Sequence, residues 1–416
     1  MQNALLLIGY FGYGNLGDEE TLRVFAGRLH ACGIPYRVLR GGKPSKSARG
    51  TRASAKKTRA GKKTQAAAES SANAEAQGAK EAAQGAAEKP LAGAKFASAE
   101  GEADAPPMQG GGDLSSSETV VWRRNLPSLR RALRSCRGVV LVGGNLLQSE
   151  SSVRSLLYYT ALLRYAAGQG KPLYLFGGGL GGFRGGISEK IMQKLLPKFS
   201  YLGLRSDGDV SAASRFKAIK CKLYFAPDPC FCLPQGKSLK KRTVVFIPRY
   251  AAEGDPWFAR CLSLSRACGY RVEIAVFFPR EDGAALSRLA EAVGARIFFP
   301  DTYEEFSRIA ATAEFTVSER FHGGIFSLLS HAVCYLRTAS EKCEGLCKTA
   351  NELAPDSGLL LPFRNYQDLV PLLQSALSSP RSQPKPTAAD FSRVIAPLRK
   401  KEDEEFTKLL RTLRAN

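Results

Sequence analysis

Short unbroken apolar runs alternate along the chain with longer segments whose apolar residues recur at helical spacing. Runs of the first kind read as strands buried on both faces of a parallel sheet, and segments of the second kind as helices packed on it. Strands are expected at Ala4 to Ile8, Tyr36 to Leu39, Val139 to Val142, Pro172 to Phe176, Tyr201 to Leu204 and Lys222 to Phe225. Helices are expected from about Asp18 to His30, Leu126 to Arg137, Leu156 to Ala167, Ser188 to Phe199 and Gly208 to Phe216. A breaker follows, Pro234 to Gly236 and then the basic stretch Lys237 to Arg242, and the alternation restarts. Its strands are Thr243 to Ile247, Arg271 to Val276, Ala295 to Phe299, Glu314 to Ser318 and Cys334 to Leu336, separated by helices around Pro256 to Cys268, Gly283 to Val293, Thr302 to Ala311 and Gly323 to Ser330. The pattern predicts an α/β protein of two doubly wound, Rossmann-like lobes, 1–236 and 237–385. In the remainder, 386–416, a charged amphipathic helix from Ala388 to Leu413 is placed to pack back across both lobes.

One stretch breaks the pattern. Residues 43–117 are mostly Ala, Ser, Gly, Lys and Glu, with Phe96, Leu91 and Leu114 as nearly their only large apolar side chains. That composition cannot bury enough surface to offset ordering entropy, so a disordered, dispensable insertion is expected here. Lys43 to Lys63 holds nine Lys or Arg and no acid, yet no aromatic residues interleave them as single-strand binding would favour. A solvated linker is preferred to a nucleic-acid arm.

The formal charge of +22 calls for an acidic partner, whether nucleic acid, an anionic membrane face or a phosphorylated or carboxylated small molecule. Segment 41–118 nets only +3, so most of the excess belongs to the folded part. Of ten Cys, the closest pairs are Cys230 with Cys232 and Cys343 with Cys347; neither has zinc-site spacing, so reduced thiols and no metal are expected. Met1 to Ile8 runs into Gly9 without a basic leader, and no apolar run has the length of a membrane span. A cytoplasmic protein, at most peripheral to a membrane, is the expectation.

The chemistry is expected where Ser318–Glu319–Arg320–Phe321–His322 passes from a strand into a helix, followed by Gly323 and Gly324. In extended backbone, side chains two apart point the same way, so Arg320 and His322 could face one anionic ligand approaching the helix N-terminus over the two glycines. The bland alternative is that His322 caps the helix and Arg320 pairs with Glu319 or Glu314. Only three His occur, and His30 and His331 read as structural. Arg205 also stands at a strand's carboxyl end, where ligands collect in open α/β sheets, with a salt bridge to Asp207 as its alternative. Three loops contribute candidate cleft residues: Gly12, Asn15, Gly17, Asp18 and Glu19; Gly144 and Asn145; Gly178 and Gly179. Gly12 to Gly17 spells G-x-G-x-x-G, with Arg40 as a candidate for the 2′-phosphate of NADP, but three residues separate it from the strand end and weaken that dinucleotide reading.

Taken together, the Gly9–Tyr10 to Gly17–Asp18–Glu19 opening, Gly143 to Gln148 followed by Ser151, Ser152, Arg154 and Ser155, the glycine loop 177–181, Arg205, Asp228–Pro229 and Arg320–Phe321–His322 resemble the polysaccharide pyruvyl transferase family of the CsaB type. The likeness covers nearly everything outside 43–117, and departs in Phe321, where the family mostly has Leu, in Gly323–Gly324 and in the insertion. It implies two lobes similar to GT-B glycosyltransferases with the site between them. It implies transfer of the enolpyruvyl group of phosphoenolpyruvate onto two hydroxyls of a cell-surface polysaccharide sugar, forming a pyruvate ketal and releasing phosphate without cofactor or metal. Arg205 and Arg320 would hold the donor and His322 would serve as acid or base. The acceptor would be a lipid-linked saccharide met at the inner membrane face, with no specific nucleic-acid partner. A GT-B-like nucleotide-sugar glycosyltransferase is the nearest rival, ahead of an NADP oxidoreductase or a nucleic-acid or membrane binder.

Overall fold

In the computed structural model of the chain, the described residues are 3–41, 119–149, 152–181, 186–216, 219, 223–249, 252, 254–378 and 386–415. The expected insertion at 43–117 lies outside them. The first sheet contains β1 (Leu5–Ile8), β2 (Tyr36–Arg40), β3 (Thr119–Trp122), β4 (Gly138–Val142), β5 (Leu173–Gly178), β6 (Phe199–Leu204) and β7 (Leu223–Phe225), in the order β3-β2-β1-β4-β5-β6-β7. The second contains β8 (Thr243–Ile247), β9 (Arg271–Ala275), β10 (Arg296–Phe298), β11 (Phe315–Ser318), β12 (Val333–Arg337) and β13 (Leu360–Phe363), in the order β10-β9-β8-β11-β12-β13. Every pairing in both is parallel.

Because strand side chains alternate between faces, each sheet feeds two cores. Leu6, Ile8, Val139 and Leu141 point into the core beneath α2 (Leu126–Ser135), α3 (Val153–Gly168) and α4 (Gly186–Leu195), beside α5 (Asp207–Ser214). Leu5, Leu7, Val140 and Val142 point the other way, toward α1 (Leu16–Ala31). In the second lobe, Val245 and Ile247 face α8 (Tyr303–Ala310), α9 (Phe321–Leu329) and α10 (Glu341–Leu353). Val244 and Phe246 face α6 (Pro256–Ala267), α7 (Pro279–Val293) and α11 (Tyr366–Ser378). The last helix, α12 (Ala388–Ala415), buries Phe391, Val394, Ile395 and Leu398 in the second lobe and Phe406, Leu409 and Leu413 in the first, so it crosses both as expected. Among the described residues no helix is long and apolar enough to cross a membrane.

Strand order reverses between β1 and β4 and again between β8 and β11. At such switch points the loops leaving the carboxyl ends diverge and open a crevice, and the loops in question begin at Gly9, Gly143, Pro248 and Glu319. The fold therefore brings the candidate loops to one place. Two boundaries differ from expectation there: α1 starts at Leu16 rather than Asp18, and α9 at Phe321 rather than Gly323.

Candidate functional site

The start of α1 is fixed from both lobes. Asn15 caps it by accepting from Gly17 N at 3.2 Å, while Leu16 N donates to Phe277 O at 2.8 Å and Tyr303 N donates to Glu20 Oε1 at 2.7 Å, both across the lobe boundary. Glu19 accepts from Gly12 N at 2.6 Å and pairs with Arg40 at 3.1 Å. Asn15, Glu19 and Gly12 thus shape the loop. The dinucleotide reading is left without its parts, since Arg40 is held by Glu19 and the leading amide of α1 is committed to Phe277. Asp18 remains half-buried, its carboxyl raised by burial against the opposing pull of His322 and Lys342.

Arg320 and His322 do not face one ligand side by side, because the helix begins between them. Arg320 is the last extended residue; its Nη2 pairs with the fully buried Asp282 and its Nε donates to Pro248 O at 3.4 Å. Burial lowers the Arg320 guanidinium from its ordinary range, with Asp282 opposing. Glu319 instead binds Arg249 N at 2.6 Å and pairs with Arg337. His322, already in the first helical turn, reaches the other lobe: its Nε2 lies 3.4 Å from Asp228 Oδ2 and 3.3 Å from Thr21 Oγ1. A Cβ on Gly17 would come within 2.0 Å of His322 Nδ1, so only glycine permits this approach. Gly323 and Gly324 serve packing rather than ligand access, since Cβ atoms there would strike Ser318 and the pair Leu336 and Leu346.

Asp228 is buried and accepts from Cys230 N at 3.0 Å. Burial by itself would raise this carboxyl, but His322, the Cys230 amide and Arg205 together hold it below its ordinary range. Asp228, Cys230 and His322 could present one ligand atom each within 4.8 Å of one another. As a metal set they fit poorly: burial and Asp228 push the Cys230 thiol well above its ordinary range, which disfavours the thiolate a metal needs.

Arg205 leaves β6 buried, its guanidinium 4.8 Å from the centre of the Phe321 ring. It lies against Gly179, where a Cβ would come within 2.6 Å of Nη2, and its Nε has no hydrogen-bond partner among the described residues. Across the cleft Lys342, in the first turn of α10, is pushed down to about 8, chiefly by burial and then by Arg205, with Arg249 adding to it. This lysine carries no motif and was not anticipated from the sequence. Arg205, Asp228, Phe321 and Lys342 line a narrow pocket, which opens past Ser206 and Gly345 into a cleft of about 900 Å³ between α4 and α5 on one side and α10 on the other. Nearby, Gly144 O accepts from Gly179 N at 2.8 Å, locking the second and third loops together where Gly178 ends β5, and Asn145 keeps a buried Oδ1 without a partner among the described residues. Of the remaining histidines, His331 bonds Gln235 at 2.9 Å and stacks on Phe391, and His30 is exposed.

Chemically, the cleft combines cations that repel one another in the absence of an anion, a His–Asp pair joining the lobes, and a wide chamber beside them. A family model described as polysaccharide pyruvyl transferase matches residues 113–336. No curated protein matches the sequence significantly. Among solved structures, the chain is similar to an alpha-glucosyltransferase in complex with UDP and a 13-mer DNA containing a HMU base, at 8% identity over 99% of this chain and 100% of that one, with a TM-score of 0.50. It is also similar to the pneumococcal O-GlcNAc transferase GtfA in complex with UDP and GlcNAc (11% identity, 72% of this chain, 57% of that one, TM-score 0.41) and to TarM (9%, 70%, 58%, 0.43). The chain spans less than two thirds of the length of those last two. At such identities the likeness concerns the fold alone, that of the two-lobed GT-B glycosyltransferases.

Proposed function

Since the chain belongs to the polysaccharide pyruvyl transferase family, we propose that it takes phosphoenolpyruvate as donor and builds a pyruvate ketal on a lipid-linked saccharide. The observation that carries this reading is the buried Arg205, which has no carboxylate bonded to it among the described residues and lines one narrow pocket with Lys342, whose pKa it lowers. Two cations held together at a cost call for a ligand with two negative groups, and phosphoenolpyruvate has a phosphate and a carboxylate. Arg205 and Lys342 face them in this reading. Arg320, with Nε and Nη2 engaged, contributes through Nη1.

The reaction adds a proton to the donor's methylene carbon, giving a methyl group and an oxocarbenium-like centre. One sugar hydroxyl attacks that carbon; a second hydroxyl then replaces phosphate, which leaves with the carbon–oxygen bond electrons, and the protons of both hydroxyls balance the one added and the one departing. His322 moves the proton, oriented by Asp228 and Thr21, as a positioned imidazole does in acid–base catalysis. Asp18 and Asn145 are the polar groups offered to the acceptor in this reading, and the wide cleft has room for a saccharide.

The test is to incubate the protein with phosphoenolpyruvate and a panel of lipid-linked saccharides while following phosphate release, with nucleotide sugars in a parallel arm. Phosphate release that needs both an acceptor and phosphoenolpyruvate supports the reading. Sugar transfer from a nucleotide sugar, with phosphoenolpyruvate inert, replaces it.

A further inference from the structure

Between Thr119 and Ser188 the chain carries ten Lys or Arg and a single acid, Glu150. This is the stretch that forms α2, α3 and the start of α4, and all three helices bury their inner sides in the same core on one face of the first sheet. Their outer sides therefore make one continuous surface. Arg124, Arg130 and Arg131 are exposed there with no ion pair among the described residues, and Arg134 bonds only the Tyr165 hydroxyl, at 3.0 Å. A shallow basic groove runs along α2 between Pro127 and Ser135.

The same surface is also apolar where a solvated one would not be. Of the nine large apolar residues left exposed among the described residues, four fall on these helices: Leu126, Val153, Leu157 and Ile187. Leu126 opens α2 and is 58% exposed, and Ile187, in the first turn of α4, is 76% exposed. Arginines interspersed with bare aliphatic side chains suit the headgroup boundary of a bilayer, where the guanidinium groups meet lipid phosphates and the aliphatic groups leave water. A nucleic-acid backbone would use the arginines but gain nothing from Leu126, Leu157 or Ile187.

We propose that this α2–α3–α4 face docks on an anionic lipid bilayer. It is placed to do so usefully: α3 leaves the loop that holds Gly144 and Asn145, and α4 supplies Gly186, Glu189, Lys190 and Gln193 to the wall of the wide cleft. A saccharide carried by a membrane lipid would thus meet the cleft from its own surface, a consequence that rests on the proposed function. The docking itself does not.

Sedimentation with vesicles of phosphatidylcholine mixed with phosphatidylglycerol, against vesicles of phosphatidylcholine alone, tests it without substrate. Each arginine near an anionic surface contributes about fivefold in partition, so the combined Arg130→Ser, Arg131→Ser and Arg134→Ser variant is expected to lose about a hundredfold, and the corresponding lysine variant to regain it. Leu126→Ser with Leu157→Ser is expected to remove the part of the binding that persists at high salt. Thermal unfolding confirms that the variants fold, and phosphate release with a water-soluble acceptor is expected to match the parent. The proposal is overturned if the triple serine variant sediments like the parent, or if the parent ignores acidic vesicles and this face instead binds duplex DNA. Failure to release phosphate from phosphoenolpyruvate with any acceptor, alongside the expected vesicle results, would overturn the proposed function and leave the docking face standing.

Discussion

Replacing Arg205 with Met separates a ligand-binding cation from a structural one. In the free protein the guanidinium gains a cation–π contact with Phe321, about 2 kcal/mol for a pair as buried as this one. Against this stand a buried Nε without a partner among the described residues, which costs roughly 1–3 kcal/mol, and repulsion from Lys342. Met fills similar space without charge, so Arg205→Met should leave stability within about 1 kcal/mol of the parent or raise it. Donor use should suffer far more: losing two charge-assisted hydrogen bonds, each about 1.5–3 kcal/mol, lowers kcat/KM for phosphoenolpyruvate by about 10² to 10⁴. The pH dependence carries a second signature. The folded value of Lys342, about 8, lies below its ordinary 10.5, so between those values the unfolded chain holds more protons and stability should increase with pH. With Arg205 removed the folded value moves back toward 10.5 and that increase should shrink. Chemical unfolding across that pH window and a continuous phosphate assay measure both. A loss of more than about 2 kcal/mol in stability with unchanged kcat/KM would make Arg205 a packing residue and not a donor-binding one.

His322→Gln keeps a donor toward Asp228 but cannot exchange a proton, so kcat should fall by about 10² to 10⁴ with a smaller change in KM, and steady-state kinetics would show it. Arg320→Lys should lower kcat/KM for phosphoenolpyruvate at least about tenfold and also destabilise by about 1–2 kcal/mol, because Asp282 is fully buried and one ammonium cannot serve both it and Pro248; a denaturation midpoint equal to the parent's contradicts this. Glu402 on α12 is raised to about 7 by burial despite Arg28 beside it, so between its ordinary 4.5 and 7 the folded chain holds more protons and stability should decline as pH rises; Glu402→Gln should flatten that slope in thermal scans.

The architecture was legible because parallel strands buried on both faces leave unbroken apolar runs such as Val139 to Val142, and each such run was found in a sheet. What escaped notice lacked that mark. Strand β3 abuts the low-complexity stretch, β13 contains Pro362, and α11 carries Pro371 in its interior, each of which reads as an interruption. At the site, the loops were visible as glycine clusters, but partners were not. Spacing of two residues suggested that Arg320 and His322 act side by side, and the helix starting at Phe321 sends one to Asp282 and the other to Asp228. Lys342 stands alone in a helix of ordinary composition, and only the meeting of the lobes places it opposite Arg205.

In the proposed reaction all three carbons of phosphoenolpyruvate end up on the sugar, joined through the central carbon to two of its oxygens. Isotope-labelled phosphoenolpyruvate, a lipid-linked saccharide acceptor and nuclear magnetic resonance of the product test it most directly. The methylene signal is expected to disappear, a methyl group on a ketal carbon bonded to two sugar oxygens to appear, and one phosphate to be released for each ketal formed. Phosphate released with the labelled carbons recovered as free pyruvate, or an acceptor unchanged while a nucleotide sugar is consumed, would contradict it.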